Sequence, residues 1–296
     1  MRWWRWIIGA GVVGGIGVVA ATIAWPIGAP VSDLTLQGDA QRGSYLARAS
    51  GCIACHTNFE AGGAPLAGGA PLRTDFGTFY PPNLTTDVEH GMGGWTVEDF
   101  ARAVRQGVSP DGDPYYPTFT YPFYANFTDQ DIADLWAAFQ TVPAVSVSAP
   151  AHEVPFPFDQ RWGMKLWRAA FLTKPDTKPV ADKSDAWNRG KLLVNGAAHC
   201  SACHTSRNFA GARIVAERFS GNDALPGGGK APSIRTRDLV SEGWTTDDMA
   251  YALRSGITPS GDVFGGSMAE VVRYGTGFLS DADLNAMATY LLDNKS

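Results

Sequence analysis

The sequence predicts an all-α chain, with two small helical domains in tandem, long Gly/Pro-rich loops, and one N-terminal transmembrane helix ahead of them. Three observations lead there. One internal repeat runs in the same order through both halves. In each copy the apolar residues recur at helical spacing between recognisable caps, and no alternating stretch of useful strand length appears. Composition permits this reading, since 296 residues suffice for two ordinary domains and 45% hydrophobic residues exclude wholesale disorder. With 24 Lys plus Arg against 29 Asp plus Glu, a nucleic-acid binder held by phosphate contacts is excluded.

Residues 1–30 come first. Arg2 and Arg5 precede an uncharged apolar run from Trp6 to Trp25. As a helix it would rise about 30 Å, the thickness of a bilayer's hydrocarbon core. Trp3, Trp4, Trp6 and Trp25 sit where an interfacial belt would hold them. A cleaved secretory signal is the competing reading, but the run is long for one and no clean A-x-A site follows. Both readings keep Arg2 and Arg5 cytoplasmic and export the rest, so the expected location is the inner membrane with the two domains periplasmic.

The repeat sets the domains. RGSYLARASGCIACHT from Arg42 matches RGKLLVNGAAHCSACHT from Arg189, and PPNLTTD from Pro81 answers APSIRTR from Ala231. GWTVEDFARAVRQGVSPDGD from Gly94 answers GWTTDDMAYALRSGITPSGD from Gly243. Domain 1 is then residues 37–142 and domain 2 residues 189–296, with a Pro-rich linker, 143–188, between them. In the linker, Asp159 to Phe171 reads as a short helix whose Trp162, Leu166, Trp167 and Phe171 should pack on both domains. Helices are expected from Thr96 to Gly107 and from Thr245 to Gly256, and after caps at Thr128 and Ser280.

All four cysteines lie in CIACH, Cys52 to His56, and CSACH, Cys200 to His204, the c-type haem attachment pattern. Two thiols add across the porphyrin vinyl groups, and the adjacent imidazole becomes the proximal iron ligand. Zinc would need further Cys or His at finger spacing, and a thioredoxin-like pair would need a βαβ context; the sequence offers neither. Two copies in matching frames point to two covalently bound haem c groups, with His56 and His204 on iron.

The sixth ligand is where the copies differ. Met268, after a glycine loop, is either the axial thioether of the second haem or a core methionine; Met249 and Met287 lie within helical periodicities that read as packing. Laying Gly112 on Gly261 brings Phe119 to the place of Met268, and phenylalanine cannot ligate iron. The first haem is then five-coordinate or ligated from elsewhere, the candidates being Met92, His90, Tyr116 and Tyr121. The aromatics from Tyr115 to Tyr124 read as a wall against the porphyrin. His199 and His152 read as structural or exposed, and Arg73, Arg207, Arg213 and Arg235 are candidates for haem propionates.

On these motifs, together with VPFPFDQRW in the linker and GGSMAEVV near the end, residues 40–293 resemble the multihaem cytochrome c subunits of bacterial membrane-bound alcohol, aldehyde and gluconate dehydrogenases. The resemblance implies two tandem cytochrome c domains that relay electrons from a partner dehydrogenase towards ubiquinone or a terminal acceptor. It carries the family's haem-binding positions onto Cys52, Cys55, His56, Cys200, Cys203, His204 and Met268. The family's dehydrogenase subunits carry three haems and have methionine in place of Phe119. The expected partners are the membrane and redox proteins: a dehydrogenase subunit, a quinol-oxidising complex or a terminal oxidase. The alternative is a dihaem enzyme, of peroxidase or thiosulfate-oxidising type, with catalysis at the methionine-less first haem. A gas sensor would call for an attached signalling domain, which the sequence lacks.

Overall fold

A computed structural model describes residues 3–293 of the chain. Helix α1 is Trp3–Ala24. In the first repeat follow α2 (Ala40–Ala49), α3 (Cys52–Cys55), the strands β1 (Leu72–Thr74) and β2 (Gly77–Phe79), α4 (Val97–Gln106), α5 (Tyr121–Tyr124) and α6 (Asp129–Phe139). The linker holds α7 (Gly163–Phe171). The second repeat holds α8 (Asp185–Asn195), a 3-10 turn over Cys200–Ala202, α9 (Thr236–Ser241), α10 (Thr246–Ser255), α11 (Gly266–Tyr274) and α12 (Asp281–Leu292).

Local chemistry explains the helix ends. Thr96 and Thr245 each close a capping box with the acidic residue three positions on, and Gly107 (φ 62°) and Gly256 (φ 78°) end α4 and α10 in the left-handed region. Thr128 and Ser280 accept the amides of Asp131 and Asp283 at the starts of α6 and α12. In each half the first and last helices cross closely, α2 on α6 and α8 on α12. A Cβ on Gly43 would fall 1.8 Å from the Asp134 carbonyl oxygen, and one on Gly190 would fall 1.9 Å from that of Ala286. Only glycine allows either crossing.

Each half has its own core. Phe100, Val104, Phe123, Tyr124, Ile132, Leu135 and Phe139 close the first, with Met92 among them. The second is built on Trp187, Leu193, Phe219, Met249, Leu253, Leu284, Met287 and Leu291.

The structure corrects two expectations and bears on a third. The chain is mostly helical rather than all-α, because β1 and β2 pair antiparallel with Leu72 opposite Phe79. Strands of three residues are too short to leave an alternating pattern. The linker helix starts at Gly163 rather than Asp159. As for the anchor, among the described residues no helix is long and apolar enough to cross a membrane. Helix α1 is unbroken over 22 residues, but Arg2 and several α1 side chains, Arg5 and Trp6 included, lie outside the described residues. Its C-terminal end is fixed: Lys165 Nζ donates to the carbonyls of Ile23 (2.6 Å) and Trp25 (2.7 Å), a cation at the negative end of the helix.

Candidate functional site

Both CxxC turns are entered through a left-handed residue, Gly51 (φ 67°) before Cys52 and His199 (φ 38°) before Cys200. Each turn brings its two cysteines to one side, with the histidine one position beyond. Four free thiols result, Cys52, Cys55, Cys200 and Cys203. The two histidines are held alike. His56 Nδ1 lies 2.8 Å from the Pro82 carbonyl oxygen, and His204 Nδ1 lies 2.8 Å from that of Pro232. A carbonyl can only accept, so the proton sits on Nδ1 and the Nε2 lone pair is left for a ligand bond. Burial pushes both imidazoles below their ordinary pKa, which keeps them neutral.

A larger loop scaffold repeats around these rings. Thr57 and Thr205, both buried, accept the amides of Leu66 and Phe219. The carbonyls of His56 and His204 accept from Gly68 and Gly221. The amides of Leu84 and Ile234, just past the two prolines, donate back to Leu66 and Phe219. Pro82 and Pro232 were not singled out from the sequence, although the matched stretches PPNLTTD and APSIRTR contain them.

The donor set fits haem better than its rivals. Among the described residues no three His, Cys, Asp or Glu side chains converge to hold an ion, which leaves zinc without a ligand shell. Burial pushes the Cys52 and Cys200 thiols up to about 12 and Cys55 up to about 11, whereas a reactive redox pair needs a depressed thiol. A histidine with Nδ1 clamped and Nε2 free beside two unpaired thiols, twice, is the set that a covalently attached macrocycle requires.

The distal candidates separate clearly. Met268 lies in the first turn of α11, half-buried and packed on the second core, while Met249 and Met287 are buried within that core. Phe119 lies ahead of α5, its ring 5.8 Å from Tyr115 and 6.0 Å from Tyr121. Met92 is buried in the first core. His90 is half-buried in the turn whose amides Asp87 accepts. Tyr116 donates to the Phe158 carbonyl, and Tyr121 is buried under Arg168. His152 is exposed and accepts from the Tyr80 amide. His199 is held by its own Ala197 carbonyl and sits between the halves, 5.8 Å from Phe123 and 5.9 Å from Tyr124. Of the arginines, Arg73 is exposed and Arg235 donates to the Arg218 carbonyl. Arg207 donates to Gly211 and Ala202, and Arg213 to Ser201 Oγ, beside the second CxxC turn.

The two turns meet. A Cβ on Gly51 would lie 3.8 Å from His199 Cε1, and α11 packs on α3. The sulfur of Cys203 and the carboxylate of Glu270 both add to the upward push on Cys55, after burial. Three side chains of domain 1 hold this contact. Tyr45 donates to Asp283 (2.6 Å), Arg48 lies 3.9 Å over the Phe278 ring, and Phe59 stacks on Tyr274 at 3.8 Å. None of the three was foreseen.

Comparison with known proteins bears on the same residues. The Cytochrome c family model matches residues 40–139. The Diheme cytochrome c-type protein of Cereibacter sphaeroides is 40% identical over 264 residues, covering 86% of this chain and 86% of its own. The chain belongs to the c-type cytochromes. It is also similar to two longer proteins, the cytochrome c subunit of the quinone alcohol dehydrogenase of Gluconobacter oxydans (42% over 262 residues) and the gluconate 2-dehydrogenase cytochrome c subunit of Pantoea cypripedii (38% over 263). The matches cover 85% of this cytochrome but 54% and 58% of those subunits, so it spans little more than half their length. The family model matches the first repeat, and the repeated hydrogen bonds extend the same architecture to the second. Covalently bound haem follows from the family.

Proposed function

We propose that this cytochrome is a membrane-anchored, periplasmic dihaem electron carrier that passes electrons from a dehydrogenase to a downstream acceptor. Cys52, Cys55 and His56 would hold one haem, and Cys200, Cys203 and His204 the other, with Met268 as sixth ligand of the second. Each haem supplies a one-electron ferrous/ferric couple. The chain's part is positional. Pro82 and Pro232 orient the two imidazoles, the clasp around Tyr45 sets how the attachment turns face each other, and the two cores exclude water.

One observation carries the reading: the clamped histidine occurs twice at 2.8 Å, and the two attachment turns lie against each other. A single-haem protein would need neither the second clamp nor the contact. The similarity to cytochrome subunits of alcohol and gluconate dehydrogenases supports a dehydrogenase as donor. For the membrane, support comes from the uninterrupted α1, whose C-terminal carbonyls accept from Lys165 of the body.

Intact mass and the absorbance of the pyridine-denatured protein count the haems. Two per chain are expected, with one retained in Cys52→Ser/Cys55→Ser and one in Cys200→Ser/Cys203→Ser. A single haem, or pigment released by acid acetone, would overturn the assignment. Carbonate-washed membranes should retain the full chain and lose a variant lacking residues 1–25.

A further inference from the structure

The two clamping prolines are followed by different residues, and the difference decides what holds each clamp. After Pro82 comes Asn83, buried at 3% exposure. Its Oδ1 accepts from the Thr85 amide (2.8 Å), and its Nδ2 donates to the carbonyls of Val145 (2.8 Å) and Val147 (2.9 Å). Both hydrogens of the side-chain amide are thus used on the linker. Thr85, fully buried, adds a bond in the other direction by accepting from the Val145 amide at 3.2 Å. Nearby, Thr78 and Glu153 exchange both backbone bonds at 2.9 Å, and the Tyr80 hydroxyl donates to the Glu153 carboxylate. The segment that carries the Pro82 carbonyl is therefore fastened from 78 to 85 onto residues 145–153.

After Pro232 stands Ser233. It repeats the first of these bonds, accepting from the Arg235 amide at 3.3 Å, but its hydroxyl faces the Phe219 carbonyl and the Asp238 carboxylate. All of these partners belong to domain 2. The second clamp is closed within its own domain, whereas the first is closed by the linker.

We propose that Asn83 is a positioning residue for His56, through which the linker sets the potential of the first haem and not of the second. The proposal rests on His56 as the axial ligand of that haem. The proline ring fixes φ of Pro82, so its carbonyl direction is left to ψ alone. That carbonyl shares a peptide plane with the nitrogen and Cα of Asn83, and the anchored Asn83 side chain holds the plane still. A carbonyl held on Nδ1 strengthens donation from Nε2 and favours ferric iron. Releasing the plane weakens the bond at Nδ1 and favours ferrous iron.

Asn83→Ser gives the first segment the residue of the second. It retains an acceptor for the Thr85 amide and loses both bonds to the linker. The haem-loaded full chain is titrated redox-spectroscopically, and haem content is counted on the same sample. The first haem's wave is the one that remains in Cys200→Ser/Cys203→Ser. In N83S that wave should move to higher potential, the ferrous-to-ferric ratio at a fixed potential rising at least about threefold, while the other wave holds. Thr85→Val, which removes the acceptor of the Val145 amide, should move the same wave in the same direction and keeps the test open if N83S does not take up haem. The sign separates positioning from mere loosening, because water admitted to a haem favours the ferric charge and lowers the potential. A first wave that stays or falls in the haem-loaded variants, or two waves that move together, would overturn the proposal. A wild type with a single haem would instead overturn the dihaem reading.

Discussion

Phe119 and Met268 stand at matching places on either side of the repeat and cannot do the same chemistry. A phenyl ring has no lone pair for iron, and of the nearby tyrosines Tyr121 is buried and Tyr116 is bonded to the Phe158 carbonyl. The ferrous protein should therefore bind carbon monoxide at about one haem per chain, and Phe119→Met should abolish most of that binding. Unchanged uptake in F119M would mean that Pro117 and Pro122, which delay α5 relative to α11, have moved the equivalent position elsewhere. A second test concerns Asp134. The Arg42 guanidinium, bonded to it at 2.7 Å, holds this buried carboxyl down at about 2. Its contribution is present above the unfolded value near 4 and is lost as pH falls through about 2. Melting temperatures measured between pH 5 and 2 should therefore fall for the wild type and converge on those of Asp134→Asn, which should lose about 1–2 kcal/mol near neutrality. At this scale the two CxxCH motifs were legible because each is a local pattern of five residues. The acceptors that orient the histidines were not. They are backbone carbonyls 26 and 28 residues away, and a carbonyl leaves no mark on residue type.

The starts of α4, α6, α10 and α12, and the glycine ends of α4 and α10, were legible to within a residue because their caps are local and the side chain, the spacing and the acidic partner agree. The strands were missed for want of length. Why glycine stands inside α2 and α8 is also invisible until the crossing helix is placed. It yields a prediction with an unusual sign. Within an isolated helix Gly→Ala stabilises by about 1 kcal/mol. At Gly43 the added methyl would meet the Asp134 carbonyl at 1.8 Å, so α2 and α6 must separate. Gly43→Ala is therefore expected to cost about 3 kcal/mol, and Gly190→Ala a similar amount. Urea denaturation followed by circular dichroism would read this directly, and a neutral or stabilising result at both sites would show that the crossing is looser than described.

Two repeats predict two domains, yet not how they face each other. That arrangement comes from side chains the repeat does not share. Tyr45, Arg48 and Phe59 of domain 1 correspond to Leu192, Asn195 and Arg207 of domain 2, so a clasp made by one copy has no mirror in the other. Tyr45 completes the Arg189–Asp283 ion pair from across the boundary, and the Phe59–Tyr274 stack fastens α11 to the loop that leaves His56. If the clasp sets the spacing of the two attachment turns, loosening it should slow electron exchange between the haems while leaving each haem's ligands intact. Tyr45→Phe combined with Phe59→Ala is the variant to make. Losing the hydroxyl and the stack together should cost about 2–3 kcal/mol at the boundary, enough to let the halves move without unfolding either core. Flash reduction of one haem followed by its equilibration with the other should then be slower, with both midpoint potentials and both spectra held. Shifted potentials with an unchanged rate would place the clasp in tuning the haems rather than spacing them. An unchanged rate at unchanged potentials would mean that α11 on α3 is sufficient to hold the turns together.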